Sequence, residues 1–251
     1  MLKRLFMRCY AAMYDLVSGP AERAGLRQQR HDLLARATGA TVEIGAGTGL
    51  NLPHYPAAVT RLALIEPDPH MTRRLRRRAA RSGRDAEIIN ATADRLPLPD
   101  ASFDTAVVTF ALCSVPDEQA ALAEITRVLA PGGRLLFLEH VRSADPAIAA
   151  RQDKMPFPYP LIGCHPNRDT LQEIEASPLA VESVRSGELP KAPKIERPMI
   201  VGAARRPGAV RAARTSLSGM DQWGRSRPEP SAVRLVPAGA HGAGERYLAP
   251  Q

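Results

Sequence analysis

Thr41-Val42-Glu43-Ile44-Gly45-Ala46-Gly47-Thr48-Gly49-Leu50-Asn51 reads as a short buried strand running into a glycine-rich turn. Gly45, Ala46 and Gly47 leave no bulk over the backbone, so a ligand can lie against the amides of the turn. A second apolar run, Leu62-Ala63-Leu64-Ile65, follows and ends in Glu66-Pro67. A carboxylate at the tip of a second parallel strand is placed to accept hydrogen bonds from a ribose diol. Together these features point to a nucleoside-containing cofactor, although a tight strand-to-helix turn can demand glycine for steric reasons alone.

The spacing narrows the choice. A dinucleotide turn carries G-x-G-x-x-G, with the third glycine allowing close helix packing over the pyrophosphate. Here the spacing is G-x-G-x-G, and Leu50 stands where that third glycine would be. No G-x-x-x-x-G-K-[ST] phosphate loop is present. Glu43 places an acid near the ligand edge, which suits an ammonium better than a doubly charged pyrophosphate. S-adenosylmethionine carries that ammonium beside its sulfonium. The candidate cofactor residues from this stretch are Glu43, Gly45, Ala46, Gly47, Gly49 and Asn51, joined by Glu66 and Pro67.

Further along, Leu96-Pro97-Leu98-Pro99-Asp100 precedes Ser102-Phe103-Asp104 and an apolar strand over 105–110. Cys113-Ser114-Val115-Pro116-Asp117 leads into a helix with Ala121, Leu122, Ile125, Val128 and Leu129 at helical spacing. Pro131-Gly132-Gly133 stops that helix, and Leu135-Leu136-Phe137-Leu138-Glu139-His140 reads as another buried strand. This order of motifs resembles the class I S-adenosylmethionine-dependent methyltransferases of the methyltransferase type 11 kind. The segment Gly163-Cys164-His165-Pro166-Asn167-Arg168-Asp169-Thr170 extends the likeness toward the thiol methyltransferase-like branch and its bacterial relatives. The resemblance covers about residues 8 to 204.

The alternation of apolar strands and helical segments predicts an α/β fold. The resemblance makes it a Rossmann-like, seven-stranded, mostly parallel sheet with helices on both faces and the last strand antiparallel. Strands are expected near 61–66, 86–90, 105–110, 134–139, 180–185 and 198–203 beyond the first. Residues 1–38 form a helical arm, with one helix ending at Gly19-Pro20 and another over 21–37. By the resemblance, residues 39–205 are expected to form the methyltransferase domain. Residues 206–251 form a basic tail rich in Pro, Gly, Ala and Ser, whose composition predicts disorder. Thr170 with Glu173 has the pattern of a capping box. The prolines of Met155-Pro156-Phe157-Pro158-Tyr159-Pro160 exclude a helix there and fit either a substrate lid or a surface loop.

The formal net charge of +8 invites a nucleic-acid reading. Much of the charge sits in the tail, with seven arginines against Asp221, Glu229 and Glu245. A second set of arginines between Arg73 and Arg84 covers more than one helical face without interleaved aromatics, which fits a solvated helix. No specific nucleic-acid partner is expected. Cys9, Cys113 and Cys164 are odd in number and unclustered in sequence, indicating neither a disulfide framework nor a metal site. No apolar run is long enough to span a bilayer, and a cytoplasmic setting is expected. The N-terminal arm could dock over the cofactor cleft or make peripheral membrane contact.

The acceptor is expected to be a small, apolar molecule: a thiol by the nearest resemblance, or a quinone, lipid or phenol. Thr109, Phe110 and Ala111 after the fourth strand are expected to floor the site. By resemblance, an acid after the third strand contacts the adenine amino group, and that place is taken here by Thr92 with Ala93 next. Tyr14-Asp15 is similar to a Tyr-Asp pair ahead of the sheet in this family, making Tyr14 a cofactor-capping candidate. On the acceptor side the candidates are His140 and His165 as catalytic groups, with Cys113 and Asp153. His140 stands at a strand end and can act as a base or brace the neighbouring loop. A nicotinamide-dependent oxidoreductase and a non-catalytic binding protein are the competing readings.

Overall fold

The apolar runs of this chain are continuous rather than alternating, and each is buried on both faces of a single sheet. The computed structural model describes residues 2–154 and 163–208. The expected lid or loop at 155–160, and the tail beyond 208, lie outside the described residues. Seven strands, β1 (Gly39–Ile44), β2 (Val59–Ile65), β3 (Glu87–Ile89), β4 (Phe103–Thr109), β5 (Leu129–His140), β6 (Ala180–Glu188) and β7 (Pro198–Arg205), pair in the order β3-β2-β1-β4-β5-β7-β6. Strands β1 to β5 are mutually parallel where they pair, and β7 runs antiparallel to both β5 and β6. This is the expected Rossmann-like sheet with one antiparallel strand.

Alternate residues of each central strand feed two apolar layers. Val42, Ile44, Ala106, Val108, Leu135 and Phe137 pack with α4 (Glu118–Val128) through Leu122 and Ile125. Leu62, Leu64, Val107, Leu136 and Leu138 pack with Leu33 and Leu34 of α2 (Arg27–Leu34) and Leu75 of α3 (Pro69–Ser82). Each such fully buried Leu, Ile or Phe contributes about 1.5–3 kcal/mol relative to exposure, so the two layers fix the sheet against its helices. The site therefore rests on a rigid platform.

Helix α3 starts and stops as its sequence dictates. Asp68 caps it by accepting from the amides of His70 and Met71, Pro69 fills the first turn, and Gly83 closes it in the left-handed region. The N-terminal arm departs from expectation. Helix α1 (Leu2–Ala21) continues through Gly19 and Pro20, and the break comes at the wide turn Glu22–Leu26, where Gly25 has φ 126°. A proline so near a helix end disrupts little that follows it, whereas φ 126° is open only to glycine. Likewise the cap of α6 (Thr170–Ala176), which follows α5 (Pro146–Gln152), is Asp169 rather than Thr170. Thr170 is buried and donates its hydroxyl to Glu118 Oε1 at 2.8 Å instead.

Candidate functional site

The strand order reverses on either side of β1 and β4, and their carboxyl ends open the crevice where α/β sheets take ligands. The glycine turn after β1 lies at this point. Gly45 adopts φ 72°, and a Cβ there would stand 2.6 Å from Ala111 Cβ, so only glycine lets the β1 and β4 loops close on each other. At Gly47, φ 57°, a Cβ would meet only the Gly45 carbonyl oxygen, at 4.0 Å, so the backbone conformation rather than crowding asks for glycine there. Glu66, at the tip of β2, accepts from the Gly47 amide and the Asp68 amide, each at 2.8 Å. A carboxylate offers about four acceptor positions, so the two amides orient Glu66 and leave capacity for a diol. Burial raises its pKa, opposed by those amides. Pro67 is exposed beside it, and its carbonyl is held by Asn90 Nδ2. Gly49 packs against Leu52 and Leu75 behind the turn.

Beneath the turn lies a buried polar network. Glu43 accepts from Asn51 Nδ2 at 2.9 Å and from the Tyr55 hydroxyl at 2.7 Å. Burial pushes its carboxyl up to about 7, opposed by those two hydrogen bonds and by Arg30. Arg30, from α2, pairs with Glu22 at 2.9 Å and donates to Asn51 Oδ1 and Thr109 Oγ1. Tyr14, Arg30, Glu43, Gly45–Thr48, Asn51 and Thr109 enclose one narrow void. The void thus has a guanidinium and a carboxylate in its wall. Neither Arg30 nor Tyr55 figures among the sequence candidates. Arg30 does break an apolar stripe of Leu26, Leu33, Leu34 and Ala37 at helical spacing, a cation where a core residue is due.

The arm docks over this void. Asp15 accepts from Thr48 Oγ1 and from Arg78 Nη2, both at 2.6 Å, and Arg78 also donates to the Thr48 carbonyl. One of the arginines read as solvated therefore ties α1 to α3 and to the turn. Tyr14 stands edge-on to Tyr10 with ring centroids 5.7 Å apart. Burial raises the pKa of both phenols.

The carboxyl ends of β4 and β5 form the other wall. Phe110 holds φ 55°, a strained value for a non-glycine residue, with its amide donating to the Leu138 carbonyl. Its ring meets the His140 ring at 4.5 Å between centroids and lies under the Arg30 guanidinium at 5.5 Å. Glu139, fully buried, accepts from the amides of Ala111, Leu112 and Cys113 and shapes the loop after β4. Burial lifts its carboxyl to about 7, opposed by those amides. Arg168 donates to the Leu112 carbonyl at 2.6 Å, and the His165 amide donates to the Cys113 carbonyl at 2.7 Å. These contacts bring the segment after residue 163 onto the β4 loop. His165 contributes its backbone there while its ring is half-exposed.

Two of the three cysteines, unclustered in sequence, meet in space, while Cys9 stays exposed on α1. Cys113 and Cys164 lie 3.9 Å apart between sulfurs, and His140 Nδ1 is 3.7 Å and 3.8 Å from them. Nothing in the sequence brings residues 113, 140 and 164 together until β4, β5 and the returning segment are placed side by side. His140 Nε2 is buried without a hydrogen-bond partner among the described residues. The Cys164 contact and burial both hold the Cys113 thiol well above its ordinary pKa. Other candidates fall elsewhere. Thr92 is exposed in a turn whose carbonyl accepts from the Arg95 amide, and Ala93 is buried in the core. Asp153 is bound to Arg142 on the surface.

A glycine turn at the switch point, a strand-end acid held by the turn, and a void lined by Arg30 and Glu43 under it make a site of the nucleoside-cofactor kind on a Rossmann-like sheet. The methyltransferase domain family matches residues 42–137. A ubiquinone/menaquinone biosynthesis C-methyltransferase from Hahella chejuensis is 32% identical over 182 residues, covering 70% of this chain and 72% of that protein. A thiol S-methyltransferase from Rattus norvegicus is 32% identical over 140 residues, 53% of this chain and 57% of the relative's length. This chain thus spans little more than half of that relative. The crystal structure of a SAM-dependent methyltransferase from Thermotoga maritima superposes with a TM-score of 0.59 at 21% identity, over 81% of this chain and 99% of the other. The chain belongs to the S-adenosylmethionine-dependent methyltransferases of the type 11 family. That membership displaces the nicotinamide reading. Among the described residues no helix is long and apolar enough to cross a membrane.

Proposed function

We propose that this chain methylates the sulfur of a small apolar thiol. The bound cofactor would supply a methyl group on a sulfonium, a good leaving group. The observation that carries the cofactor side is Glu66, held by the amides of Gly47 and Asp68 beside a turn whose Gly47, at φ 57°, has open space where a Cβ would stand. In this reading Glu66 takes the ribose hydroxyls, and Gly45, Ala46 and Gly47 give the close backbone approach. Arg30 and the acid Glu43 line one void, which suits the carboxylate and ammonium of an amino-acid tail, the ammonium drawing the Glu43 carboxyl toward its ionised form. Tyr14 covers that tail from the arm. Thr92 carries no charge for the adenine.

On the acceptor side, Phe110, Cys113, His140 and Cys164 make a wall of rings and sulfurs suited to a soft, apolar nucleophile. A thiol of ordinary pKa is already partly ionised near neutral pH, so the chain's tasks are to align it and exclude water. The relatedness to thiol S-methyltransferases supports the same acceptor. A ring-carbon acceptor is the second reading, favoured by the longer match to the C-methyltransferase.

The test has two parts. Calorimetric titration with S-adenosylhomocysteine, with NAD as control, is expected to give saturable binding for the former alone. Incubation with a deuteriomethyl donor and a panel of thiols and quinols, read by mass spectrometry, is expected to label thiols. Labelling of quinols alone would replace the thiol by the ring carbon.

A further inference from the structure

The contacts among Cys113, His140 and Cys164 form a nearly equilateral triangle of donor atoms, with sides of 3.7, 3.8 and 3.9 Å. Two sulfurs at 3.9 Å are not bonded, since a disulfide holds them about 2.05 Å apart. Nor are these contacts short enough to be strong hydrogen bonds. They do match a metal triangle. Zinc takes sulfur at about 2.3 Å and imidazole nitrogen at about 2.0–2.1 Å, which at tetrahedral angles sets donors roughly 3.6–3.8 Å apart. The imidazole that completes the triangle is itself held inside the fold. His140 is 8% exposed, and its other ring nitrogen, Nε2, is buried with no partner among the described residues. A metal on Nδ1 would fix the proton on Nε2, on the side of the ring away from the metal.

We propose that Cys113 Sγ, Cys164 Sγ and His140 Nδ1 bind one soft divalent transition-metal ion of the zinc type, leaving a fourth coordination position open. Binding replaces the proton of each thiol by the metal and releases both protons to solvent. Three protein donors with one open position is the arrangement of zinc sites that accept water or substrate, unlike the closed four-donor structural sites. The site adjoins Phe110 on the wall assigned to the acceptor. The open position then takes the acceptor sulfur as a thiolate, its proton leaving as the metal–sulfur bond forms. That last step rests on the thiol reading above.

The backbone prepares the triangle. Glu139 fixes the amide of Cys113, the carbonyl of Cys113 receives the amide of His165, and Arg168 holds the neighbouring Leu112 carbonyl. Cys113 and Cys164 are thus set by hydrogen bonds that do not involve their own sulfurs, as a metal site needs.

The experiment uses the full chain, reduced and stripped of metal, titrated with Co2+ and then Zn2+. One Co2+ per chain is expected, with a near-ultraviolet thiolate-to-cobalt band that Zn2+ abolishes. Cys113→Ser, Cys164→Ser and His140→Ala should each weaken Co2+ binding more than about tenfold, at least what an outer-shell change costs. Cys9→Ser, on α1, should not weaken it. Calorimetry with S-adenosylhomocysteine reports whether each variant is folded. As a second measurement on the unaltered chain, Zn2+ should protect Cys164 but not Cys9 from iodoacetamide. A missing thiolate band, a band surviving in both Cys113→Ser and Cys164→Ser, or equal alkylation with and without Zn2+ would overturn the site. Adding 2-mercaptoethanol to the Co2+ form should shift the band, and an unshifted band overturns the thiolate placement. If the Co2+ band is present and no thiol is methylated, the site stands and the acceptor assignment fails.

Discussion

The two walls of the cleft are built to opposite standards of polar satisfaction. On the β1–β2 side, Glu43 and Glu66 have defined partners on both carboxylate oxygens, and Arg30 is matched by Glu22, Asn51 and Thr109. On the β4–β5 side, Cys113, Cys164 and His140 meet only at sulfur distances, and His140 keeps one buried nitrogen without a partner. A buried polar group without a partner costs about 1–3 kcal/mol. The satisfied wall therefore reads as preorganised for a cofactor of fixed shape. The unsatisfied wall reads as awaiting something that completes it.

Glu43→Gln should disturb the satisfied wall most. Folding raises the Glu43 carboxyl from 4.5 to about 7, and Glu139 likewise. Over that interval the unfolded chain has lost the proton that the native one keeps, so stability falls as pH rises from 4.5 to 7 and stays lower above it. Glu43→Gln should flatten that pH dependence, while its single amide oxygen leaves Asn51 Nδ2 or the Tyr55 hydroxyl without an acceptor at a cost of about 1–3 kcal/mol. Urea unfolding at pH 5 and pH 8 would measure it, and an unchanged pH slope would mean Glu43 is ionised in the native state. Glu66→Ala should weaken S-adenosylhomocysteine binding about 10- to 100-fold by calorimetry, the worth of a charged hydrogen-bond pair. Unaltered affinity would remove Glu66 from the site. On the other wall, His140→Ala should leave that affinity within about threefold while lowering turnover by about tenfold. Equal losses in both would merge the two walls into one. The smallest effect belongs to the arm, where Asp15→Asn should cost less than about 1 kcal/mol and vanish in high salt, as expected of a partly exposed pair. Melting temperatures at two salt concentrations would check it.

The satisfied wall was the legible one. The turn at 45–49 and Glu66 lie close in sequence to the strands that carry them, so local pattern was enough to place them. Strand positions followed from continuous apolar runs, as in Leu62–Ile65 and Leu135–Leu138. What escaped depends on distance along the chain. Arg30 meets Thr109 across 79 positions, and Cys164 meets Cys113 across 51. No periodicity encodes such meetings, and only the order of strands in the sheet makes them. The arm shows a subtler miss. Gly19-Pro20 carries the stronger punctuation, yet the chain breaks at Gly25, where the backbone needs a conformation only glycine supplies.

The antiparallel β7 has a consequence for how the chain is made. Among the described residues, strand β5 pairs in parallel with β4 on one edge and antiparallel with β7 on the other, over Arg134–His140. Until residue 205 has left the ribosome, that apolar edge has unpaired backbone groups along its length. Exposed edges of this kind recruit other chains. The hairpin of β6 and β7 is thus the closing stitch of the sheet. Chains halted between residues 140 and 198 are expected to aggregate even though strands β1 to β5, whose ends open the crevice, have already been synthesised.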